Sequence, residues 1–597
     1  MMTYPTIERD GLIFRDLDHD GKLAPFEDYR NSITERVSDL LGRMTLAEKI
    51  GVMMHGTAQS DGPLGALGVG ECYDENNARD QLLNKSINHL ITRLNCEPSE
   101  FARENNRLQA IAAESRLGIP LTISTDPRHH FQHVTGASSR AIGFSQWPET
   151  TGLAATRDAA LVRQFAEVAR LEYRAVGIHM ALSPQADIST EPRWSRISGT
   201  FGEYPDVAKT MVEAYVEGMQ GSSNGLTEAG VAAVVKHWVG YGAAPEGFDG
   251  HNAYGQRSAV TDESLNYHIE PFLGAFERCV AGVMPTYTIP HQLTENGSPT
   301  EAVAGGFSHY LLTTLLRDQY GFEGFVLSDW AIYRDATAAT HNPLQMQSPD
   351  DIAMPWGVET LSRVERIAKS VNAGVDQLGG EEDVEALASA VASALVSVER
   401  IEEAAERLLR VKFELGLFDA PYVDEQAAQS IVGSNEHQNL ALDAQRRALI
   451  CLNTHDPVDP AAVKFVDWNN LGDIPAETTL VIRIDSPREA LHPNHFFGSR
   501  QHEGSLEYAE SSDEFQLIKR LSETNRIILV IQMARPAIFH NLLPFIEGLY
   551  IDLGISDDVI LDAVSGKFEP SGVLPFGIPD SMQSVLDGRS DVPGRVA

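Results

Sequence analysis

Short apolar runs alternate with amphipathic helical stretches from about residue 40 to residue 415 of this 597-residue chain. Strands that are buried on both faces have such nearly continuous apolar sequences, and their alternation with helices is typical of parallel βαβ units. We therefore predict a TIM-type (β/α)8 barrel in an α/β protein. The clearest runs are IPLTISTD, GIHMALSP, GVAAVVKHWV, AGVMPTYT and GFVLSDW.

A second, smaller α/β region follows a long helical segment that begins at Ala386. The acidic stretch DAPYVDEQAAQS separates the two parts, so we place a domain boundary there. We predict an N-terminal extension over residues 1–40, a catalytic barrel over residues 41–420 and an α/β sandwich domain over residues 421–597. The strand candidates of the last domain are KFVDW, TTLVIRID, NRIILVIQM and GLYIDLG.

The charge balance restricts the partners of this chain. It has 47 Lys and Arg residues against 84 Asp and Glu residues, a net charge of −37, which repels phosphate backbones and anionic membranes. We therefore expect a small-molecule substrate and neither a nucleic-acid nor a membrane partner. The N-terminus has no basic segment followed by an apolar run, and this pattern predicts a cytoplasmic protein. The four cysteines form no CxxC pair, which argues against a zinc site.

Several of the apolar runs end in a polar or charged residue. The C-terminal ends of barrel strands converge on one face, where catalytic groups gather. Asp329 follows four apolar residues and precedes an aromatic one, so its carboxylate is a candidate for attack on an anomeric carbon. The alternative is that Asp329 caps the next helix. The run ends that we assign to one site are Asp126, Lys236, His237, Tyr287 and Asp329.

Side chains near these strand ends suit the recognition of a sugar. Lys236 and His237 are a buried cation and a buried imidazole, which need partners, and sugar hydroxyls supply them. The short carboxylate of Asp126 can accept hydrogen bonds from two vicinal hydroxyls, and Arg196 adds donors. Three tryptophans either offer faces to sugar rings or pack in the core: Trp194, Trp238 and Trp330.

Four ordered motifs make the chain resemble glycoside hydrolase family 3: PRWSRISGTFGEYPDVA, VVKHWVGYG, VMPTYT and GFVLSDW. The resemblance runs from about Phe14 to the C-terminal SGVLPFGIP. It implies a barrel followed by an α/β sandwich domain, an active site where the two meet, Asp329 as the nucleophile and no cofactor for catalysis. It also implies that Asp126, Arg196, Lys236, His237 and Tyr287 hold the terminal sugar, with Met284 and Trp330 lining the pocket.

The acid/base partner is harder to assign. A retaining glycosidase needs a second carboxyl group roughly 5 to 5.5 Å from the nucleophile. The resemblance places this group at Glu489, where a strand leads through a proline to a glutamate, although Arg488 stands where similar sequences have an aromatic residue. Three alternatives stay open: Glu507, Glu503, and His251 paired with Asp249, as in one branch of the family.

A calcium-loop pattern lies near the N-terminus. Residues 16–27, DLDHDGKLAPFE, match the pattern D-x-D-x-D-G-x5-E. Pro25 and the flanking IFR argue against a helix pair around the loop, so we interpret it as a structural clip that either binds Ca²⁺ or is a plain turn. Its ligands would be Asp16, Asp18, Asp20, the carbonyl group of Lys22, and Glu27.

We conclude from the sequence that the chain is a retaining, exo-acting β-glycosidase. The first hypothesis is a β-glucosidase that releases terminal β-D-glucose from oligosaccharides or glycosides. A β-xylosidase or another β-glycosidase of the family is the alternative, because these sugars share the recognised hydroxyls. Two other classes stay open: a sugar-binding pseudoenzyme, and a barrel oxidoreductase or aldolase that uses Lys236 as a Schiff-base amine. The sequence is compatible with a monomer and with a homodimer.

Overall fold

The computed structural model describes residues 5–62, 69–132, 139, 141–466, 468 and 474–594. The strands of this part of the chain are β1 Thr6–Arg9, β2 Leu12–Arg15, β3 Met54–Ala58, β4 His89–Thr92, β5 Thr122–Thr125, β6 Met180–Ala181, β7 Ala232–Trp238, β8 Arg257–Thr261, β9 Gly282–Pro285, β10 Ile289–Gln292, β11 Thr294–Glu295, β12 Ser298–Pro299, β13 Phe325–Val326, β14 Leu378–Gly379, β15 Ile450–Asn453, β16 Val463–Phe465, β17 Thr479–Asp485, β18 Arg526–Gln532 and β19 Gly548–Asp552.

The α-helices are α1 Ile33–Arg43, α2 Leu46–Met53, α3 Glu75–Arg79, α4 Pro98–Ala112, α5 Thr150–Ala155, α6 Ala159–Ala175, α7 Pro205–Gln220, α8 Leu265–Glu277, α9 Ala338–His341, α10 Arg363–Ala373, α11 Val384–Ala392, α12 Val398–Glu414, α13 Glu425–Ile431, α14 Asn435–Ala448, α15 Asp513–Ser522, α16 Asp557–Val564 and α17 Met582–Asp587. Two further segments, Asp80–Asn84 and Tyr310–Gln319, are π-helical, and several three-residue 3-10 turns lie between the other elements. Within the described ranges, none of these helices has the length and apolarity needed to cross a membrane.

Eight parallel strands form a closed barrel. Their order in the sheet is β13, β9, β7, β6, β5, β4, β3 and β14. The two end strands meet, because Leu327 and Gln377 form a parallel bridge and the Ser328 N–H donates to the Gln377 carbonyl at 2.9 Å. Closure leaves no free sheet edge. The predicted TIM-type barrel is confirmed.

Helices cover the outside of the barrel in the sequence order that βαβ units require. The last of them, α12, packs against α1 and α2 and so completes the ring. Its apolar residues repeat at three- and four-residue intervals and face inward. Each fully buried leucine of this face stabilises the fold by about 1.5–3 kcal/mol. The buried residues of this helix include Ile401, Ala404, Ala405, Leu408 and Leu409.

A five-stranded sheet forms the second domain. Its order is β15, β19, β18, β17 and β16, with β15 antiparallel to its neighbour and the other pairs parallel. The predicted boundary after residue 420 falls between α12 and α13, and the first strand of the sheet begins at Ile450. Part of the strand candidate KFVDW, Asp467, lies outside the described residues.

Candidate active site

The carboxyl ends of the barrel strands surround one cavity, which we name the Asp329 cavity. Lys236 and His237 lie at the end of β7, Tyr287 follows β9, and Asp329 follows β13. This edge of a TIM barrel is where catalytic residues gather. All of the residues that were predicted to attack or hold the sugar line the cavity: Asp126, Arg196, Lys236, His237, Met284, Tyr287, Asp329 and Trp330.

Two hydrogen bonds hold one carboxylate oxygen of Asp329, and within the described residues no hydrogen bond reaches the other. Its Oδ1 accepts hydrogen bonds from the Tyr287 hydroxyl at 2.6 Å and from the Trp330 N–H at 2.8 Å. Its Oδ2 lies 3.8 Å from His237 Nε2. Burial raises the pKa of Asp329, and the nearby His251, Tyr287 and Lys236 oppose that rise. The next helix, α9, is capped by Thr337, so Asp329 does not cap it.

Asp187, which the sequence argument missed, orients His237. It is buried, and its Oδ2 accepts from His237 Nδ1 at 2.7 Å and from the His237 backbone N–H at 3.2 Å. With the proton on Nδ1, the Nε2 atom faces the cavity as an acceptor. Burial holds the pKa of His237 well below its usual value and raises the pKa of Asp187 to about 7. Asp187 lies only a few residues beyond β6, so a wider search around strand ends would have found it.

A buried ion-pair cluster forms another wall. Asp126 Oδ2 accepts from Arg93 Nη1 at 2.6 Å, and Asp126 Oδ1 lies 3.8 Å from Lys236 Nζ. Burial lowers the pKa of Lys236, whereas Asp126 opposes that shift. Arg93 directly follows β4, which is the same kind of position as that of the predicted site residues at other strand ends. The sequence analysis nevertheless did not predict it. The cluster offers charged donors and acceptors to sugar hydroxyls.

The three tryptophans have different environments. Trp194 and Trp238 are fully buried, which fits the core-packing alternative. Trp330 is partly exposed and lines the cavity. It is therefore the one of these three that can meet a sugar ring.

None of the three glutamates proposed as acid/base lines the Asp329 cavity. Glu489 is exposed, and its Oε2 accepts from the Ser505 N–H at 2.8 Å. Glu507 is also exposed and accepts from the Met582 N–H at 3.2 Å. The buried Glu503 accepts from the Tyr254 hydroxyl at 2.7 Å and from His492 Nδ1 at 2.8 Å. Glu503 thus connects a barrel loop to the second domain.

His251, the remaining candidate, lines the Asp329 cavity. Its Nδ1 lies 3.0 Å from Asp249 Oδ1, and Tyr241 and Gln501 also donate to this carboxylate. Burial acts to raise the pKa of Asp249, but His251, Arg196 and the Tyr241 hydroxyl hold that pKa well below its usual range. Phe497 lies 4.3 Å from the His251 ring. Gln501 and Phe497 belong to the second domain, which therefore supports the pair.

The acidic N-terminal loop brings three of its predicted ligands together. Carboxylate oxygens of Asp16, Asp18 and Glu27 lie within 4.8 Å of one another. Glu27 is buried and accepts from the Leu17 N–H at 2.6 Å and the Ala24 N–H at 2.8 Å. The Asp20 carboxylate instead accepts from the Lys22 N–H at 2.7 Å. These residues do not line the Asp329 cavity.

Comparison with known proteins decides the family. The family model "Glycosyl hydrolase family 3 N terminal domain" matches residues 45–411. A periplasmic β-glucosidase/β-xylosidase of Dickeya chrysanthemi is 45% identical over 604 residues, which cover 99% of this chain and 92% of that protein. The chain belongs to glycosyl hydrolase family 3. The β-glucosidase C of Emericella nidulans is 37% identical over 585 residues, 95% of this chain and 91% of that protein.

Solved structures with this fold include a β-glucosidase from Erythrobacter marinus, with a TM-score of 0.73, 22% identity and coverage of 94% of this chain and 80% of that one. An exo-1,3/1,4-β-glucanase from a Pseudoalteromonas species has a TM-score of 0.72 and 19% identity, and covers 94% of this chain and 72% of that one. The predicted family and fold are confirmed. This family 3 member is a glycoside hydrolase acting on O-glycosyl bonds. This conclusion excludes two alternatives from the sequence analysis: a sugar-binding pseudoenzyme and an enzyme that uses Lys236 as a Schiff-base amine.

Proposed function

We propose that this family 3 protein is a retaining, exo-acting β-glycosidase that releases terminal β-D-glucose from oligosaccharides or glycosides. The observation that carries the proposal is the position of Asp329 Oδ2, which forms no hydrogen bond with the described residues and lies in a cavity lined by groups suited to sugar hydroxyls. The names of the relatives from Dickeya chrysanthemi and Emericella nidulans support a β-glucosidase.

In the proposed reaction Asp329 Oδ2 attacks the anomeric carbon as the bond from that carbon to the leaving oxygen breaks. Tyr287 and the Trp330 N–H hold Oδ1, which fixes the plane of the carboxylate. The leaving oxygen takes a proton from the acid. Water then attacks the glycosyl-enzyme and gives its proton to the same group, which returns Asp329 to its free form.

For the proton donor, the geometry favours His251 with Asp249 over the glutamates. His251 lines the cavity that contains Asp329, whereas Glu489, Glu503 and Glu507 do not. The Asp249 carboxylate accepts a hydrogen bond from His251 Nδ1. His251 Nε2 is therefore left to exchange a proton with the leaving oxygen. The role of Glu489 stays a prediction from the sequence.

A β-xylosidase is the second candidate function. The relative from Dickeya chrysanthemi carries both activities in its name. Xylose and glucose share the hydroxyls at C2, C3 and C4, so the charged cluster around Asp126 and Lys236 would meet the same groups in either sugar.

The rates on p-nitrophenyl glycosides test the proposal. We expect hydrolysis of the β-D-glucoside, with or without the β-D-xyloside, and no hydrolysis of the α-D-glucoside or the N-acetyl-β-D-glucosaminide. Release of nitrophenol only from the α-glucoside, or from no β-glycoside, would contradict the proposed function. A faster rate on the xyloside than on the glucoside would reverse the order of the two candidates.

We propose no cofactor for catalysis and a structural Ca²⁺ in the loop 16–27. Three clustered carboxylates, Asp16, Asp18 and Glu27, suit a hard cation, although Glu27 already accepts hydrogen bonds from three backbone N–H groups. We expect a chelator to lower the Tm by about 2–4 °C and Ca²⁺ to restore it, since a ligand of the native state stabilises it. In Asp16→Asn the Tm should no longer respond. The same Tm for wild type in chelator and in Ca²⁺ would refute the calcium site.

The oligomeric state and the cellular location stay predictions from the sequence. Membership of the family supports one binding partner, a glycoside substrate.

A further inference from the structure

A long loop, residues 486–512 between β17 and α15, brings the second domain to the active site. No helix or strand lies within it, and loops of this length inside a compact domain are usually functional. The ring of Phe497 lies 4.3 Å from the His251 ring, and Gln501 donates to the carboxylate of Asp249. Contacts with other segments must therefore fix the conformation of this loop.

Arg535, just beyond β18, joins the two ends of the loop. The side chain is fully buried. Its Nη2 lies 2.7 Å from the carbonyl oxygen of Pro487, at the start of the loop. The same Nη2 lies 2.7 Å from the carbonyl oxygen of Glu503 and 3.1 Å from that of Ser505, near the end of the loop. One guanidinium group, a planar fork of N–H donors, thus closes the loop at its base.

The same side chain also reaches the barrel. Its Nη1 donates to the carbonyl oxygen of Arg193 at 2.9 Å, and Arg193 belongs to the barrel loop that follows β6. The backbone of Arg535 is held as well, because the Ser486 hydroxyl donates to its carbonyl oxygen at 2.8 Å. Arg535 therefore connects three segments: the end of β18, the loop 486–512 and the barrel.

The charge of Arg535 is costly to bury. No carboxylate of the described residues pairs with this side chain, and its Nε has no hydrogen-bond partner among them. Burial lowers the pKa of Arg535 to about 10, so the guanidinium stays charged at pH 7. A buried charge destabilises a fold unless hydrogen bonds satisfy it, and an apolar side chain of similar volume fills space without that cost. The carbonyl groups that Arg535 joins account for an arginine here.

We propose that Arg535 is a positioning residue of the glycosidase reaction, which clamps the loop 486–512 onto the barrel. Through this clamp it holds Phe497 and Gln501 against His251, the proposed acid. The inference rests on the proposed function. Arg535 does not line the Asp329 cavity, so it acts through the loop and not on the substrate.

The two chemical roles depend on Arg535 to different extents. The nucleophile is held by the Tyr287 hydroxyl and the Trp330 N–H, which belong to the barrel, so its attack on the sugar does not need the loop. Proton donation does need the loop, because Gln501 supplies a hydrogen bond to Asp249. Loss of the clamp should therefore impair proton donation more than nucleophilic attack.

Arg535→Met tests the clamp. We expect kcat/KM for cellobiose to fall about 10- to 100-fold, because a shift of about 1 Å in a catalytic group has effects of this size. For a dinitrophenyl β-glucoside, whose leaving group needs no proton, kcat/KM should change less than about threefold. Most of the loss for cellobiose should appear in kcat and little in KM. Steady-state rates on the purified variant give these values.

Arg535→Lys provides the test if Arg535→Met does not fold. The lysine keeps the charge but presents one nitrogen where arginine presents three. We expect a loss of about three- to tenfold, again confined to cellobiose. Amide hydrogen exchange should become faster in peptides of the loop 486–512 and stay unchanged in those of β7. The control is Arg520→Met, at an exposed arginine on α15, which should keep the wild-type rates and exchange.

Two results would overturn the positioning role. The first is an equal loss of both kcat/KM values, or faster exchange throughout the chain, since either shows an effect on folding alone. The second is unchanged rates with unchanged exchange in the loop 486–512. If wild type cleaves no β-glycoside, the proposed function fails and the positioning role with it, whereas faster loop exchange in Arg535→Lys would still show the clamp.

Discussion

Replacing Asp329 by alanine is expected to lower kcat for p-nitrophenyl β-D-glucoside by at least about 10⁴-fold, because the substituted enzyme cannot form the glycosyl-enzyme. KM should change little, since Arg93, Asp126 and Lys236 still hold the sugar. Steady-state rates on the purified variant give the result.

Two controls separate this chemical effect from misfolding. Asp318→Ala removes an exposed carboxylate from the helical segment before β13 and should keep the wild-type rate. Azide should restore part of the Asp329→Ala rate and yield an α-glycosyl azide, because a small anion fits where the carboxylate stood. A rate for Asp329→Ala within about tenfold of wild type would exclude Asp329 as the nucleophile.

The pH dependence of kcat/KM provides a further test of Asp329 as the nucleophile. Burial raises the pKa of Asp329, so it gains a proton at a higher pH than an ordinary aspartate. Only the ionised form attacks. As the pH falls through this raised pKa, kcat/KM should therefore fall, with its acid limb above the ordinary aspartate range.

The second large effect concerns the proton donor. We expect His251→Ala to lower kcat/KM for cellobiose by about 10²–10⁴-fold, the usual contribution of general acid catalysis. For a dinitrophenyl β-glucoside, whose leaving group needs no proton, kcat/KM should fall far less. The ratio of kcat/KM for cellobiose to kcat/KM for the dinitrophenyl glucoside tests the assignment of His251 as the acid. Because a loss of folded protein lowers both values equally, this ratio does not depend on protein stability.

Glu489→Gln is the matched comparison. The sequence analysis favours Glu489 as the acid/base residue, whereas in the structure Glu489 is exposed and accepts a hydrogen bond from the Ser505 N–H. With His251 as the acid, Glu489→Gln should change both rates by less than about threefold. If instead Glu489→Gln shows the large, leaving-group-dependent loss and His251→Ala does not, the assignment of His251 is wrong.

The barrel and the residues around Asp329 could be predicted because both follow from local patterns. Strands buried on two faces need continuous apolar sequences, and a parallel barrel puts their ends on one face. A polar residue at the end of such a run, as with Asp126, Lys236 or Asp329, is thus a site candidate from sequence alone. The same rule applied to HLITR would have added Arg93.

Contacts between distant segments could not be predicted in this way. The bond of Asp187 to His237 joins residues 50 apart, and the bond of Gln501 to Asp249 joins residues 252 apart in different domains. No periodicity in the sequence specifies how a long loop such as 486–512 folds against the barrel. For this reason the sequence left four acid/base candidates open, and Glu489 was ranked without knowledge of its position.

Trapping of the glycosyl-enzyme tests the central claim most directly. A 2-deoxy-2-fluoro-β-D-glucoside with a dinitrophenyl leaving group reacts with the nucleophile and then hydrolyses slowly, because the fluorine destabilises the positively charged transition state of both steps. After proteolysis, mass spectrometry should find one fluoroglucosyl group on the peptide that contains Asp329, and none in Asp329→Ala. A label on another carboxylate, such as Asp126, or full activity without any label, would contradict the account.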